Sequence, residues 1–187
     1  MPPLVNLRDY LELLRSNGQL LTIDEPVDPF LEIAEIHRRV IDRGGPALLF
    51  NRVKDSAFPV VTNLFGTNQR LEMAFGRRPV DFVRGLVDLA EHAMPLSPTT
   101  LWQRRSLFAD GLRIGLKQVR SGPVLDCCQQ PARLGSLPML TSWHSDGGAF
   151  VTLPLVYTEH PEGLGHNLGM YRIQIYDKNT AGMHWQI

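Results

Sequence analysis

The 187-residue sequence is poor in cysteine, having only the adjacent pair Cys127 and Cys128. Neighbouring cysteines rarely bridge each other, and two cannot build a disulfide framework. Without Cys-x-x-Cys spacing or a second pair, they read as reduced, buried small hydrophobes rather than a redox or metal site. The sequence also lacks a charge surplus: 19 Lys and Arg balance 19 Asp and Glu. That argues against a broad surface for nucleic acid or anionic membrane. No apolar run approaches the ~20 residues of a bilayer-spanning helix. Met1-Pro2-Pro3-Leu4 has neither the charged start nor the apolar stretch of a secretion signal. Internal repeats and low-complexity tracts are missing, as are His-Glu-x-x-His, nucleophile-elbow and phosphate-loop patterns. Gly163-x-Gly165-x-x-x-Gly169 is not followed by a helix pattern and so fails as a dinucleotide fingerprint. A cytoplasmic globular protein is the simplest reading, with peripheral membrane association left open.

What is present is a 43% hydrophobic chain with sixteen glycines and fourteen prolines. The length suffices for a real core, and the many turn formers favour mixed α/β architecture over a helix bundle. Asn6 reads as the cap of a helix over Leu7–Leu14, stopped at Asn17-Gly18. A short strand over Leu20–Ile23 follows. Asp28 is expected to cap a second helix with Pro29 in its first position. Gly44-Gly45-Pro46 ends that helix, and Ala47–Phe50 and Phe58–Phe65 read as strands joined by a polar loop. Thr67 caps a third helix over Asn68–Phe75, and Pro79–Met94 is a fourth. Helix signals then fade. Val119–Cys128 and Leu137–Ser142 read as short extended segments, and Ala149–Thr158 as a strand. The expected fold is therefore α/β: an N-terminal α/β domain over residues 1–115, then the start of a β-rich domain over 116–187.

Polar chemistry concentrates in Gly165-His166-Asn167-Leu168-Gly169-Met170-Tyr171-Arg172-Ile173-Gln174, which leads through a turn at Asp177–Gly182 into Met183-His184-Trp185-Gln186-Ile187. Strict alternation puts Asn167 and Arg172 on opposite faces of one strand. Both can line one site only across a bulge or strong twist, for which Gly169 is the natural place. The plainer alternative is a polar loop end running into a half-buried strand, with Arg172 solvated, and the pattern alone favours it. His144, in Trp143-His144-Ser145-Asp146-Gly147-Gly148, lies in a loop that could approach an anion through backbone N–H groups. An ordinary turn is the simpler reading there too.

Several pieces nevertheless occur together in a recognisable order. They are Leu7-Arg8-Asp9-Tyr10-Leu11 with Gly18-Gln19-Leu20, Pro26-Val27-Asp28-Pro29, Gly45-Pro46-Ala47-Leu48-Leu49-Phe50 and Asn63-Leu64-Phe65-Gly66-Thr67. Later come Cys128-Gln129-Gln130, Asp146-Gly147-Gly148, Asn167-Leu168-Gly169-Met170-Tyr171-Arg172 and Gly182-Met183-His184-Trp185. On these the chain resembles the N-terminal part of the UbiD family of decarboxylases. The resemblance implies non-oxidative (de)carboxylation of an aromatic or α,β-unsaturated acid, in one branch within quinone biosynthesis. It implies prenylated FMN in a split β-barrel domain, made by a flavin prenyltransferase, with a divalent metal such as Mn2+, a monovalent cation such as K+, and a homo-oligomer. By the same resemblance Asn167 is a metal ligand and Arg172 the active-site arginine. Met170, Tyr171, Arg172, His184, Trp185 and Gln186 belong to the cofactor-binding strands, and Thr152 lies near the cation and phosphate region. The family's metal-binding histidine would follow Ile187, and its acidic residues lie further on. The 187 residues are thus expected to be an inactive N-terminal portion, a non-catalytic flavin-binding or subunit-docking module being the alternative.

Overall fold

The computed structural model describes residues 4–76, 78–92, 98–112 and 119–184. These fall into two compact units. One is Asn68–Cys128 with Leu4; the other joins Val5–Thr67 to the described part of Gln129–Ile187. The expected domain junction at 115/116 lies outside the described residues.

The larger unit begins with α1 (Leu7–Ser16). Its Asn6 cap accepts the Asp9 N–H at 3.0 Å, satisfying one of the donors that a helix start leaves open. Gly18, at φ 66°, turns the chain out of α1. Strands β1 (Leu20–Ile23), β2 (Ala47–Phe50) and β3 (Val60–Thr62) form a sheet of that order. β1 and β2 are parallel, β2 and β3 antiparallel. α2 (Glu32–Asp42) is the crossover that a parallel pair requires. Ile33, Leu48 and Phe50 are fully buried, and Val27 and Val53 nearly so, forming the core beneath the sheet. At roughly 1.5–3 kcal/mol for each buried large aliphatic or aromatic side chain, this cluster supplies much of the unit's hydrophobic stabilisation. Val53 belongs to the stretch expected to be a polar loop, and bridges Val27 through its backbone.

The start of α2 differs from expectation. Asp28 does not cap it; its Oδ1 accepts the Phe30 N–H at 2.8 Å, and the helix begins three residues after Pro29. Leu31 intervenes at φ 67°, ψ −33°, with the Glu32 N–H donating to the Phe30 carbonyl at 2.8 Å. That is a γ-turn, a strained conformation for a residue with a Cβ. Its cause lies more than a hundred residues away. The Leu31 N–H donates to the Thr141 carbonyl at 2.9 Å, and the Thr141 N–H to the Pro29 carbonyl at 3.2 Å. The chain is drawn out beside Pro29–Leu31 to hold the buried Thr141. Leu140 packs on the core from the same segment.

Beyond it, Phe150–Val151 (β4), Ile173–Ile175 (β7) and Ala181–Met183 (β8) form one small sheet in the order β4-β7-β8. Leu155–Glu159 (β5) and His166–Met170 (β6) form a separate hairpin. The strand expected over Ala149–Thr158 is thus two strands in two sheets. These small open sheets and the helices make a mixed α/β fold.

The smaller unit contains α3 (Asn68–Phe75), α4 (Arg78–His92), α5 (Pro98–Gln103) and α6 (Arg105–Leu112). The last two helices were not legible in the sequence. A Cβ on Gly85 would lie 3.0 Å from Leu107, so the small residue lets α4 approach α6. Cys127 and Cys128 are exposed, contrary to expectation. They follow a 3-10 turn, Pro123–Leu125, in which Val124 and Leu125 are themselves largely exposed, so no core forms around the thiols.

Two outcomes test this fold. Leu31→Pro fixes φ on the wrong side and deletes the donor to Thr141, and should cost about 3 kcal/mol in chemical denaturation. Burial lowers the pKa of His37 on α2 below the ordinary 6.5. The unfolded chain therefore takes up a proton there before the folded chain does. The unfolding temperature should fall as pH drops below about 6.5, and more shallowly in His37→Gln.

Candidate functional site

The predicted chemistry sits where the chain changes sheets. β6 ends at Met170 and β7 starts at Ile173, leaving Tyr171 and Arg172 as a two-residue joint between the β5–β6 hairpin and the β4-β7-β8 sheet. This joint takes the place of the bulge expected at Gly169.

Asn167 is exposed on β6 opposite Thr158. Its Nδ2 donates to the Tyr171 hydroxyl at 2.6 Å. Its Oδ1 accepts no hydrogen bond among the described residues and is left as a neutral oxygen donor. Tyr171 reaches it by folding back over Gly169, where a Cβ would lie 2.8 Å from the tyrosine ring. Glycine is needed here for that close approach. Met170 closes β6, 69% exposed and opposite Leu155.

Arg172 points to different partners. Its Nη2 donates to Asp146 Oδ2 at 3.2 Å, and its guanidinium carbon lies 3.7 Å from the centre of the Phe150 ring. A ring face attracts a cation, and the flat guanidinium suits stacking on it. Asp146 is held in turn by the N–H groups of Ser142, at 3.2 Å, and Trp143, at 3.1 Å. The side chain of Asp146 is 12% exposed and that of Arg172 44%. The His184 N–H donates to the Arg172 carbonyl at 3.4 Å, bringing the end of β8 to the same joint. Gln174 adds a further tie through its Nε2, which donates to the Gly147 carbonyl at 2.8 Å.

Arg172, His184 and, through Tyr171, Asn167 are therefore gathered at one joint. Thr152 is not among them. It is exposed just after β4 and lines a cavity of about 1380 Å3 bounded by α2, β3 and the segments 138–144 and 150–153. That cavity includes His37 and His144 but neither Asn167 nor Arg172. Trp185 and Gln186 lie outside the described residues. Asp146 and Phe150 were not legible as partners of Arg172, because 26 and 22 residues separate them from it and no local pattern encodes the contact.

A hard divalent cation prefers oxygen ligands, and the unspent Oδ1 of Asn167 fits that preference. One neutral oxygen does not hold such an ion. Among the described residues no group of three His, Cys, Asp or Glu is placed to complete the set.

Tyr171→Phe should cost about 1 kcal/mol in stability and shift the Asn167 side-chain amide resonances. Gly169→Ala should move the same resonances by forcing the ring away. Unchanged amide signals in both variants would show that Tyr171 does not rest on Asn167.

The model of the 3-octaprenyl-4-hydroxybenzoate carboxy-lyase N-terminal domain matches residues 11–90, and that of the same family's Rift-related domain residues 117–187. An uncharacterized protein of Chlamydia trachomatis serovar D is 50% identical over 183 residues, covering 97% of this chain and 31% of its own length. A Chlamydia pneumoniae protein named as a subunit of 4-hydroxybenzoate decarboxylase is 47% identical over 181 residues, with the same coverage. Among solved structures, an evolved dimeric form of the UbiD-class enzyme HmfF from Pelotomaculum thermopropionicum, in complex with prFMN, superposes with a TM-score of 0.70 at 26% identity. The match covers 96% of this chain and 38% of that one. The chain spans about a third of the length of the curated relatives it matches. It belongs to the UbiD family of carboxy-lyases, of which it carries the N-terminal domain and the matched stretch of the Rift-related domain.

Proposed function

We propose that these residues form the arginine-bearing, flavin-facing part of a UbiD-type active site, acting in non-oxidative decarboxylation of an aromatic or α,β-unsaturated acid. The observation that carries this reading is the state of Arg172. Among the described residues its guanidinium has one hydrogen bond, to Asp146, and one covered face, on Phe150. Its remaining N–H donors have no partner among the described residues. A guanidinium fixed on two sides and open on the others is suited to receive a carboxylate through charge-assisted hydrogen bonds.

Prenylated FMN, when bound, would supply the electron sink that lets the carbon–carboxylate bond break. The chain's own residues would bind and orient. Arg172 would hold the substrate carboxylate and, together with the exposed Met170 and His184, contact the flavin. Asn167 would offer Oδ1 as one ligand of a divalent ion, Mn2+ in this reading. K+ near Thr152, a flavin prenyltransferase as cofactor source, a place in quinone biosynthesis and a homo-oligomer complete the proposal. The replacing proton must come from an acid, and Asp146 is already committed to two backbone N–H groups and Arg172. We therefore expect the 187 residues alone to be inactive.

A second reading is favoured by the exposed face of the β5–β6 hairpin. There Leu155 opposes Met170 and Tyr157 opposes Leu168, all four 44–69% exposed. Such an apolar strip suits a module that docks onto a separate chain carrying the carboxylates.

Titration of FMN with the protein, followed by quenching of flavin fluorescence, separates the two. Flavin binding should weaken at least ~10-fold in Arg172→Ala, the loss expected for a charge-assisted hydrogen bond. No quenching at high micromolar protein would sink the flavin assignment and leave the docking module. With prenylated FMN, Mn2+ and 4-hydroxybenzoate supplied, the chain should release no CO2; release would refute its inactivity.

A further inference from the structure

We infer that Asp146 is the positioning residue for Arg172, and that the loop from Ser142 to Ala149 exists in this fold as its mount. The inference rests on reading Arg172 as the substrate-facing arginine, but its physical content concerns only how that side chain is held.

The loop has backbone ties of its own that do not involve Arg172. Leu140 and Phe150 close its base with a pair of backbone hydrogen bonds, at 2.9 and 3.4 Å. The Asp146 N–H donates to the Trp143 carbonyl at 3.1 Å, making a turn. The same residue's Oδ2 accepts the N–H groups of Ser142 and Trp143. Two backbone donors thus fix the carboxylate from its own side, and Arg172 reaches it from the other chain segment. Phe150, which carries one side of the loop base, is also the ring beneath the guanidinium. The loop therefore supplies both the charge and the floor for Arg172. From β7, Gln174 locks the loop further at the Gly147 carbonyl, and a Cβ on Gly147 would lie 2.7 Å from that amide nitrogen.

This geometry has a direction. Asp146 is nearly buried and held by backbone, while Arg172 is half exposed and held by Asp146 and Phe150. Removing the arginine should leave the loop in place. Removing the carboxylate should release the arginine. An exposed salt bridge between two free side chains would show no such asymmetry, and would be worth little.

The test is side-chain NMR of the 187-residue protein, with Arg8, an exposed arginine of α1, as internal reference. In the native protein, rotation of the Arg172 guanidinium about Nε–Cζ should be slow relative to Arg8. In Asp146→Asn it should quicken about fivefold, the effect of losing ~1 kcal/mol of restraint. Asp146→Glu should recover part of the restraint. Phe150→Leu should quicken the rotation while leaving the Asp146 contact. In Arg172→Ala, hydrogen exchange at the Ser142 and Trp143 amides should stay protected. An Arg172 as mobile as Arg8 in the native protein would overturn the proposal, as would equal rotation in native and Asp146→Asn. Loss of Ser142 and Trp143 protection in Arg172→Ala would also overturn it, because the arginine would then be holding the loop. If Asp146→Asn does not fold, the native, Phe150→Leu and Arg172→Ala measurements still decide. None of these readouts needs flavin, metal or turnover, so failure here is distinct from failure of the decarboxylase reading.

Discussion

Two backbone hydrogen bonds, from Leu31 to Thr141 and from Thr141 to Pro29, join the β-rich segment to the α/β core. Most of the candidate site depends on them. Thr141 immediately precedes the loop that carries Asp146, and Leu140 pairs with Phe150 on the other side of that loop. The arginine mount is therefore anchored, one residue away, at a buried threonine tied to Pro29–Leu31. The cost is the γ-turn at Leu31 and a helix that starts three residues after its proline. Strain placed beside a core helix is tolerated because Ile33, fully buried, fixes the following turn.

The sequence was most readable where forces are local. The order helix–strand–helix–strand–strand–helix–helix over the first ninety residues follows from apolar spacing, the Asn6 cap and the Gly18 stop, and the structure has it. α5 and α6 were missed because they are short and punctuated by polar residues, so periodicity is faint. Leu31 was missed for the opposite reason: Asp28-Pro29 is a sound helix start locally, and a remote partner overrules it. The single strand expected over Ala149–Thr158 fails at Leu153-Pro154, where the proline cannot donate to a ladder and the chain crosses between sheets.

The candidate site shows the same division. Family resemblance picked out Asn167, Tyr171 and Arg172, and the structure gathers them at one joint. Alternation identified the geometric difficulty of putting Asn167 and Arg172 in one place. It located the remedy at Gly169, whereas the chain leaves one sheet at Tyr171 and enters another after Arg172. Gly169 has a different task, which is to make room for the tyrosine. Neither Asp146 nor Phe150 could be matched to Arg172 without coordinates, because their meeting is produced by the Leu140–Phe150 bridge and the β4–β7 pairing. The resemblance also groups Thr152 with the cofactor residues; in the fold it follows β4 and lines the cavity beside α2 and β3.

The β5–β6 hairpin has a consequence in time as well as in space. Among the described residues it is a two-stranded ribbon paired only with itself, and such ribbons are marginal in isolation. Its connection to the neighbouring sheet on the Asn167 side is the joint Tyr171–Arg172. Local opening should therefore begin at the hairpin tip, Glu159–Gly165, and run toward the joint, while the Thr141 anchor stays closed. Asn167 would come adrift before Arg172 does. Asn167 and Arg172 stand on either side of a boundary between two sheets, so ordering the hairpin would be part of bringing them together.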